Sequence, residues 1–183
     1  GLMKTGWTEL ENKWYFFRSD GVMKTGWFEE AGKYYYLAEN GVMATAWKQI
    51  DDAWYYFNGK GHRLTGWIQP DDGDTWYYLD SNGVMQTGWF SSNGKTFYFL
   101  ESGAMATGWQ QIENDRYFFN GNGNRLTGWI EPEENIWYYL NNEGKMQTGW
   151  ADKYYLDNNG IMVTNAWRQI DNTWYYFGED GTR

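Results

Sequence analysis

The sequence predicts an all-β fold, a superhelical solenoid of stacked β-hairpins with about 20 residues per repeat. Three observations carry this. Tryptophan recurs at Trp7, Trp27, Trp47, Trp67, Trp89, Trp109, Trp129, Trp150 and Trp167, in steps of 20, 20, 20, 22, 20, 20, 21 and 17 residues; so regular a period marks a repeat array rather than a globule with one centre. Aromatic residues make up 22% of the chain while mean hydropathy is −0.82, so the rings sit in polar, Gly-rich sequence and must supply much of the packing themselves. Turn-forming residues separate the aromatic runs at matching places in each repeat.

The third unit shows one repeat in full. Thr45-Ala46-Trp47-Lys48-Gln49-Ile50 and Ala53-Trp54-Tyr55-Tyr56-Phe57 flank the polar pair Asp51-Asp52, the local pattern of a hairpin with a two-residue turn. Ala31-Gly32 and Asn93-Gly94 are the equivalent turns. After each second strand comes a Gly-containing turn, as in Ser19-Asp20-Gly21, Glu39-Asn40-Gly41, Ser81-Asn82-Gly83, Asn122-Gly123 and Asn158-Asn159-Gly160, where glycine supplies a positive φ. Isolated hairpins are marginal in water, so neighbours must stack. The apolar connector residues Met23, Met43, Leu64, Met85, Met105, Leu126, Met146 and Met162 are the expected seam, because unbranched side chains fill irregular gaps. Asp71-Asp72-Gly73-Asp74 and Glu131-Pro132-Glu133-Glu134 read as elongated hairpin turns; neither has the ligand spacing of an EF-hand calcium loop. After Trp150 the first strand and turn are shortened, and Thr164-Asn165-Ala166-Trp167 carries an added residue, which points to altered geometry near the C-terminus. Residues 1–183 are expected to form one module that is a fragment of a longer protein, since both ends of the sequence fall inside repeats.

Composition removes several function classes. A formal net charge of −9 argues against nucleic acid, whose phosphates need clustered Lys and Arg. The absence of cysteine excludes a disulfide framework and thiolate metal sites. No apolar run approaches the roughly 18 residues of a membrane span. Catalysis has little to stand on: His62 is the only histidine, no serine lies in a nucleophile elbow, and the paired carboxylates sit in wet turns rather than shielded clefts. Neither enzymatic activity nor a cofactor or metal is expected of these residues.

Strand alternation locates a ligand. In Trp54-Tyr55-Tyr56-Phe57 successive side chains point to opposite faces, so each hairpin offers rings to both of its neighbours. Trp47 and Trp54 can pair on one face and Tyr77 of the following repeat can close a third side. Three rings around a gap make an aromatic cage, which attracts a quaternary ammonium through its π faces at about 0.5–1 kcal/mol per exposed ring.

The alternating Thr-Gly-Trp and Trp-Tyr-Tyr-Phe/Leu blocks with a following Gly-x-Met resemble the choline-binding, or cell-wall-binding, repeats of surface proteins from pneumococci and their phages, and the resemblance covers essentially the whole chain. It implies a left-handed superhelix of hairpins with choline, or the phosphocholine of teichoic and lipoteichoic acids, held between consecutive repeats by two rings of one repeat, one ring of the next and a Met or Leu. Carried over by position, the cages are Trp7, Trp14 and Tyr35 with Met23; Trp47, Trp54 and Tyr77 with Leu64; Trp67, Trp76 and Tyr98 with Met85; and Trp129, Trp137 and Tyr154 with Met146. Trp27 with Tyr34 and Tyr55, and Trp89 with Phe97 and Tyr117, replace the middle Trp by a smaller ring and should bind more weakly. Arg116 and Lys153 stand in the middle slot after Trp109 and Trp150, where a cation repels a cationic guest.

The resemblance implies an exported, non-covalently wall-attached protein of a Gram-positive bacterium, with any catalytic domain, such as a murein hydrolase, outside these residues. Two further readings come from other classes. One is an α-glucan or surface-glycan module, since sugars also stack on rings but need convergent hydrogen-bonding groups beside them. The other is a structural spacer that forms a homodimer through the open rings of the last repeat, Trp167 to Phe177.

Overall fold

A computed structural model describes residues 3–70 and 73–183. Gly1, Leu2, and Asp71 and Asp72 of the expected elongated turn, lie outside the described residues. The chain forms consecutive antiparallel hairpins: β1 (Gly6–Leu10) with β2 (Lys13–Phe17), β3 (Gly26–Glu30) with β4 (Lys33–Leu37), β5 (Ala46–Ile50) with β6 (Ala53–Phe57), and β7 (Gly66–Ile68) with β8 (Tyr77–Leu79). They continue as β9 (Gly88–Ser92) with β10 (Lys95–Phe99), β11 (Gly108–Ile112) with β12 (Asp115–Phe119), β13 (Gly128–Glu133) with β14 (Ile136–Leu140), β15 (Gly149–Ala151) with β16 (Tyr154–Leu156), and β17 (Ala166–Ile170) with β18 (Thr173–Phe177). Every strand pairs only within its own hairpin, and no helix occurs among the described residues.

The turns have the geometry that the sequence called for. Asp51 and Asp52 lie at φ 48° and 64°, Ala31 and Gly32 at 49° and 71°, and Asn93 and Gly94 at 50° and 71°; two successive positive φ angles match the right-handed twist of the flanking strands. In the connectors, Asn58, Asp80, Asn120, Asn141 and Asp157 each accept two backbone N–H bonds on the side-chain oxygen, for example from Asn82 at 2.8 Å and Val84 at 2.9 Å onto Asp80 Oδ1. These Asx turns start one residue after β6, β8, β12, β14 and β16 and help to hold the chain reversal.

The chain divides into two compact units, Gly1–Gly88 with Phe99–Ala104, and Trp89–Tyr98 with Met105–Arg183. In the first unit the connectors at Met43, Arg63 and Met85 each bond twice. The Ala44 N–H donates to the Tyr36 carbonyl of the hairpin just completed and the Met43 N–H to the Trp14 carbonyl of the hairpin before it, both at 2.8 Å. Arg63 to Tyr34 and Met85 to Trp54 repeat the second bond at 2.8 Å. In the second unit Arg125, Met146 and Met162 donate to the carbonyls of Thr96, Arg116 and Trp137, again at 2.8 Å. Hairpins that share no sheet are thus tied by the strands' free backbone groups.

The last residue of the second strand forms the core. Leu37, Phe57, Leu79 and Phe99 in the first unit, and Phe119, Leu140 and Phe177 in the second, are all fully buried at 0% exposure. Phe57 packs with Ala44, Ile50, Tyr36 and Tyr55, and Phe119 with Ala106, Ile112, Tyr117 and Tyr98.

The connector seam differs from expectation at two places. Single bridges pair Phe17 with Met23, Leu37 with Met43, Leu79 with Met85 and Leu140 with Met146, but Phe57 with Arg63 and Phe119 with Arg125. Leu64 and Leu126 therefore fall one residue beyond the methionine slot. Counting from the preceding glycine gives the correct frame, Gly61-His62-Arg63 matching Gly41-Val42-Met43. Apolar character pointed to the wrong neighbour.

Candidate functional site

Within each unit the first-strand Trp meets the second residue of the next hairpin's ring block. In the first unit the ring centroids of Trp7 and Tyr35 lie 4.8 Å apart, and those of Trp27 and Tyr55 and of Trp47 and Tyr77 4.9 Å. In the second unit Trp89 and Tyr117 are 5.0 Å apart, Trp109 and Tyr138 4.8 Å, Trp129 and Tyr154 4.9 Å, and Trp150 and Tyr175 5.1 Å. Most of these contacts are edge-on, at interplanar angles near that of Trp47 and Tyr77, 62°, the arrangement that ring quadrupoles favour.

A second ring packs on each first-strand indole from its own hairpin, and apart from Tyr98 the sequence assigned these rings to no cage. Tyr36 lies 5.3 Å from Trp27, Tyr56 5.1 Å from Trp47, and Tyr139 5.1 Å from Trp129. The register Trp47↔Tyr56 and Gln49↔Trp54 puts Trp47, Trp54 and Tyr56 on one face. Period-two alternation would have found this ring, because Tyr56 is the direct cross-strand partner of Trp47.

Two cavities open between such rings. One, about 390 Å³, is lined by Trp7, Trp14, Tyr35, Met43, Gly59 and Lys60. The other, about 700 Å³, is lined by Trp129, Trp137 and Tyr154 with Met162, Asn135, Thr164, Asn165, Glu179 and Asp180. Each brings together the two Trp and one Tyr expected from the sequence. The methionine belongs to a later connector than expected: Met43 rather than Met23, and Met162 rather than Met146. The Met85 N–H bonds to the Trp54 carbonyl, which gives Met85, not Leu64, the connector position after Trp54 that Met43 holds after Trp14. Trp67, Trp76 and Met85 belong to the first unit and Tyr98 to the second; within the first unit Trp67 packs on Tyr78 at 5.3 Å and Phe99 at 5.6 Å.

Phe97 and Tyr98 are displaced by one position from their expected roles. The Arg125 N–H donates to the Thr96 carbonyl, as Met43 does to Trp14, so Thr96 holds the middle slot after Trp89. Phe97 occupies the slot of Tyr35 and Tyr117 and is buried like them, while Tyr98 stacks 5.0 Å from its own Trp89.

Charge varies among the ring groups. The Arg116 guanidinium lies 4.7 Å from the Trp109 ring centre and the Lys153 ammonium 5.3 Å from that of Tyr154. Arg63 stands 4.4 Å from Tyr34 and 5.9 Å from Trp27, and Arg183 4.9 Å from Trp150 and 5.5 Å from Tyr175. Sequence reasoning missed Arg63, because the Trp27 group was given no connector residue and the neighbouring Leu64 was assigned to the Trp47 cage. The Trp7 indole N–H donates to Glu30 Oε2 at 2.6 Å, which fixes that ring at the cavity wall. Burial pushes the Tyr35 phenol above its ordinary pKa, helped by the Glu30 carboxylate; burial does the same for Tyr117.

Known proteins share this architecture. Two family profiles, both described as choline-binding repeat, match residues 4–46, 44–82, 69–107 and 106–149, and residues 148–182. Among solved structures, CbpJ from Streptococcus pneumoniae is 36% identical over 87% of this chain and 58% of its own, with a TM-score of 0.76. Choline-binding protein F of the same organism is 36% identical over 87% of this chain and 57% of its own, with a TM-score of 0.77. The choline-binding domain of pneumococcal CbpL is 31% identical over 98% of this chain and 96% of its own, with a TM-score of 0.65. The chain thus spans under two thirds of the first two relatives. No curated protein matches it.

Proposed function

Because this chain belongs to the choline-binding repeat family, we propose that it is a non-catalytic module that attaches an exported protein to a bacterial wall by gripping the choline residues of teichoic or lipoteichoic acid. The observation that carries this reading is the recurrent Trp–Tyr pair between consecutive hairpins, 4.9 Å between Trp47 and Tyr77 and again between Trp129 and Tyr154, with a cavity and a second Trp beside the pairs of Trp7 and Trp129. A trimethylated nitrogen donates no hydrogen bond, so it gives up little to leave water and is drawn to π faces. The methionine on the remaining side offers a polarizable apolar surface to its methyl groups.

The proposed choline groups are Trp7, Trp14, Tyr35 and Met43; Trp47, Trp54, Tyr77 and Met85; and Trp129, Trp137, Tyr154 and Met162, with Trp67 and Trp76 contributing a fourth. Three rings at about 0.5–1 kcal/mol each, more where desolvated, give roughly millimolar binding, near 4 kcal/mol. Firm attachment then comes from several groups engaging one polymer, since a filled group raises the effective concentration of choline at its neighbours. The protein should be retained on a choline-derivatised resin and released by millimolar free choline. Passage without retention, or retention that choline does not reverse, would overturn the assignment.

The final hairpin favours a second role. Trp167 and Trp174 are 60% and 61% exposed and Tyr176 48%, a larger aromatic exposure than on any other hairpin described, and pairing of two copies there would cover it. Light scattering with and without choline distinguishes a dimer from a monomer.

A further inference from the structure

The identity of one connector residue decides whether a ring group is open to a guest. We propose that Arg63 is the resident guest of the group formed by Trp27, Tyr34 and Tyr55: its guanidinium fills the place that a choline nitrogen takes in the neighbouring groups, and closes that one to outside cations. This rests on the choline reading of the open groups.

The backbone delivers Arg63 to the slot that methionine holds elsewhere. Its N–H bonds to the Tyr34 carbonyl at 2.8 Å, as Met43 bonds to Trp14 and Met85 to Trp54, and it pairs with Phe57 as Met43 pairs with Leu37. The side chain is gripped rather than free. A Cβ placed on Gly83, at φ 80°, would stand 2.6 Å from Arg63 Cδ and 2.8 Å from Nε. Gly61 and Gly103 make the same close approach to Met43 and Met85, so the arginine stem follows the path of the methionine side chains.

At the head, the guanidinium carbon lies 4.4 Å from the Tyr34 ring centre and 5.9 Å from that of Trp27, while Trp27 and Tyr55 keep the 4.9 Å spacing of the open groups. Arg63 Nε is buried without a hydrogen-bond partner. An unpaired buried donor on a cation is costly, and the flanking π faces are the compensation on offer, since guanidinium stacks on aromatic rings. A planar cation there leaves no room for a trimethylammonium and repels its charge. In the second unit Arg183, after Gly181-Thr182 as Arg63 follows Gly61-His62, faces Trp150 and Tyr175 in the same manner.

The test replaces arginine by the residue the slot holds elsewhere. Arg63→Met should bind one more choline per chain than the parent protein in calorimetric titration, and an unchanged stoichiometry in a folded variant overturns the inference while leaving the choline reading intact. Nuclear magnetic resonance of the parent gives a readout independent of choline and of how the variant folds. The Arg63 side-chain protons should be shifted upfield by ring currents and should return toward ordinary positions in Tyr34→Ala; ordinary positions in the parent overturn the inference. A parent protein that binds no choline but shows the shifted resonances would sink the functional reading and retain Arg63 as the internal cation.

Discussion

Single side chains act here in one of two capacities, and substitutions separate them. Phe57 is fully buried at the end of its strand and touches Ala44 and Ile50, so Phe57→Ala should cost about 3–5 kcal/mol, read as a lowered denaturation midpoint, and should also loosen Trp27 and Tyr55, which pack against it. Trp54 is 40% exposed, and Trp54→Ala should leave the fold largely intact while removing choline binding at its own group, measured as a loss of stoichiometry. Tyr35 and Tyr117 belong to both classes. Burial holds both phenols above the ordinary tyrosine pKa of about 10, so above that pH the folded chain keeps protons that the unfolded chain has lost. Unfolding then releases protons, and stability falls as pH rises. Thermal melts should show a midpoint that drops on the alkaline side of pH 10, and less steeply in Tyr35→Phe. At this scale the first-strand Trp residues and their Tyr partners were legible in the sequence, because both recur with the repeat. The own-hairpin rings such as Tyr56 were passed over, although cross-strand pairing alone would have revealed them.

The hairpin is set by its turn and its connector. Asp52 sits at φ 64°, where a Cβ costs about 1–2 kcal/mol, so Asp52→Gly should raise the melting midpoint by the equivalent of about 1 kcal/mol, less the entropy glycine adds to the unfolded chain. Gly61 must stay glycine for a different reason: at φ 76° its Cβ would also meet Met43. Turn residues reported hairpins reliably because turn chemistry is local. The connector frame was harder to read. Leu64 is apolar and Arg63 is not, so apolarity chose Leu64, whereas the chain places residues by their distance from the positive-φ glycine. The same one-residue ambiguity moved Phe97 and Tyr98, because three adjacent rings alternate faces and a single step exchanges the face that looks at a neighbouring hairpin for the one that packs on its own Trp.

Across the molecule, stability and attachment are both built from neighbour contacts. Choline that binds only the folded state raises its stability by mass action, about 2.7 kcal/mol per site at a concentration 100 times Kd, so the melting midpoint should climb with choline and the climb should shrink in a variant with Trp7, Trp47 and Trp129 all changed to Ala. Retention on a choline resin should fall more steeply than in proportion to the groups removed, since each loss also lowers the effective concentration seen by the rest. By itself the sequence determined the hairpin repeat, the turn conformations and the two rings that recur at fixed intervals, because all of these are local or periodic and follow from residue type and spacing. Only the tertiary structure decided what closes each ring group. Trp7, Trp14, Tyr35 and Met43 come from two hairpins and a later connector, joined because the Met43 backbone reaches back to Trp14, and where that slot carries Arg63 the group holds a cation of its own. Stacking sets that reach, and a periodic sequence reads equally well at several offsets until neighbouring hairpins are bonded together.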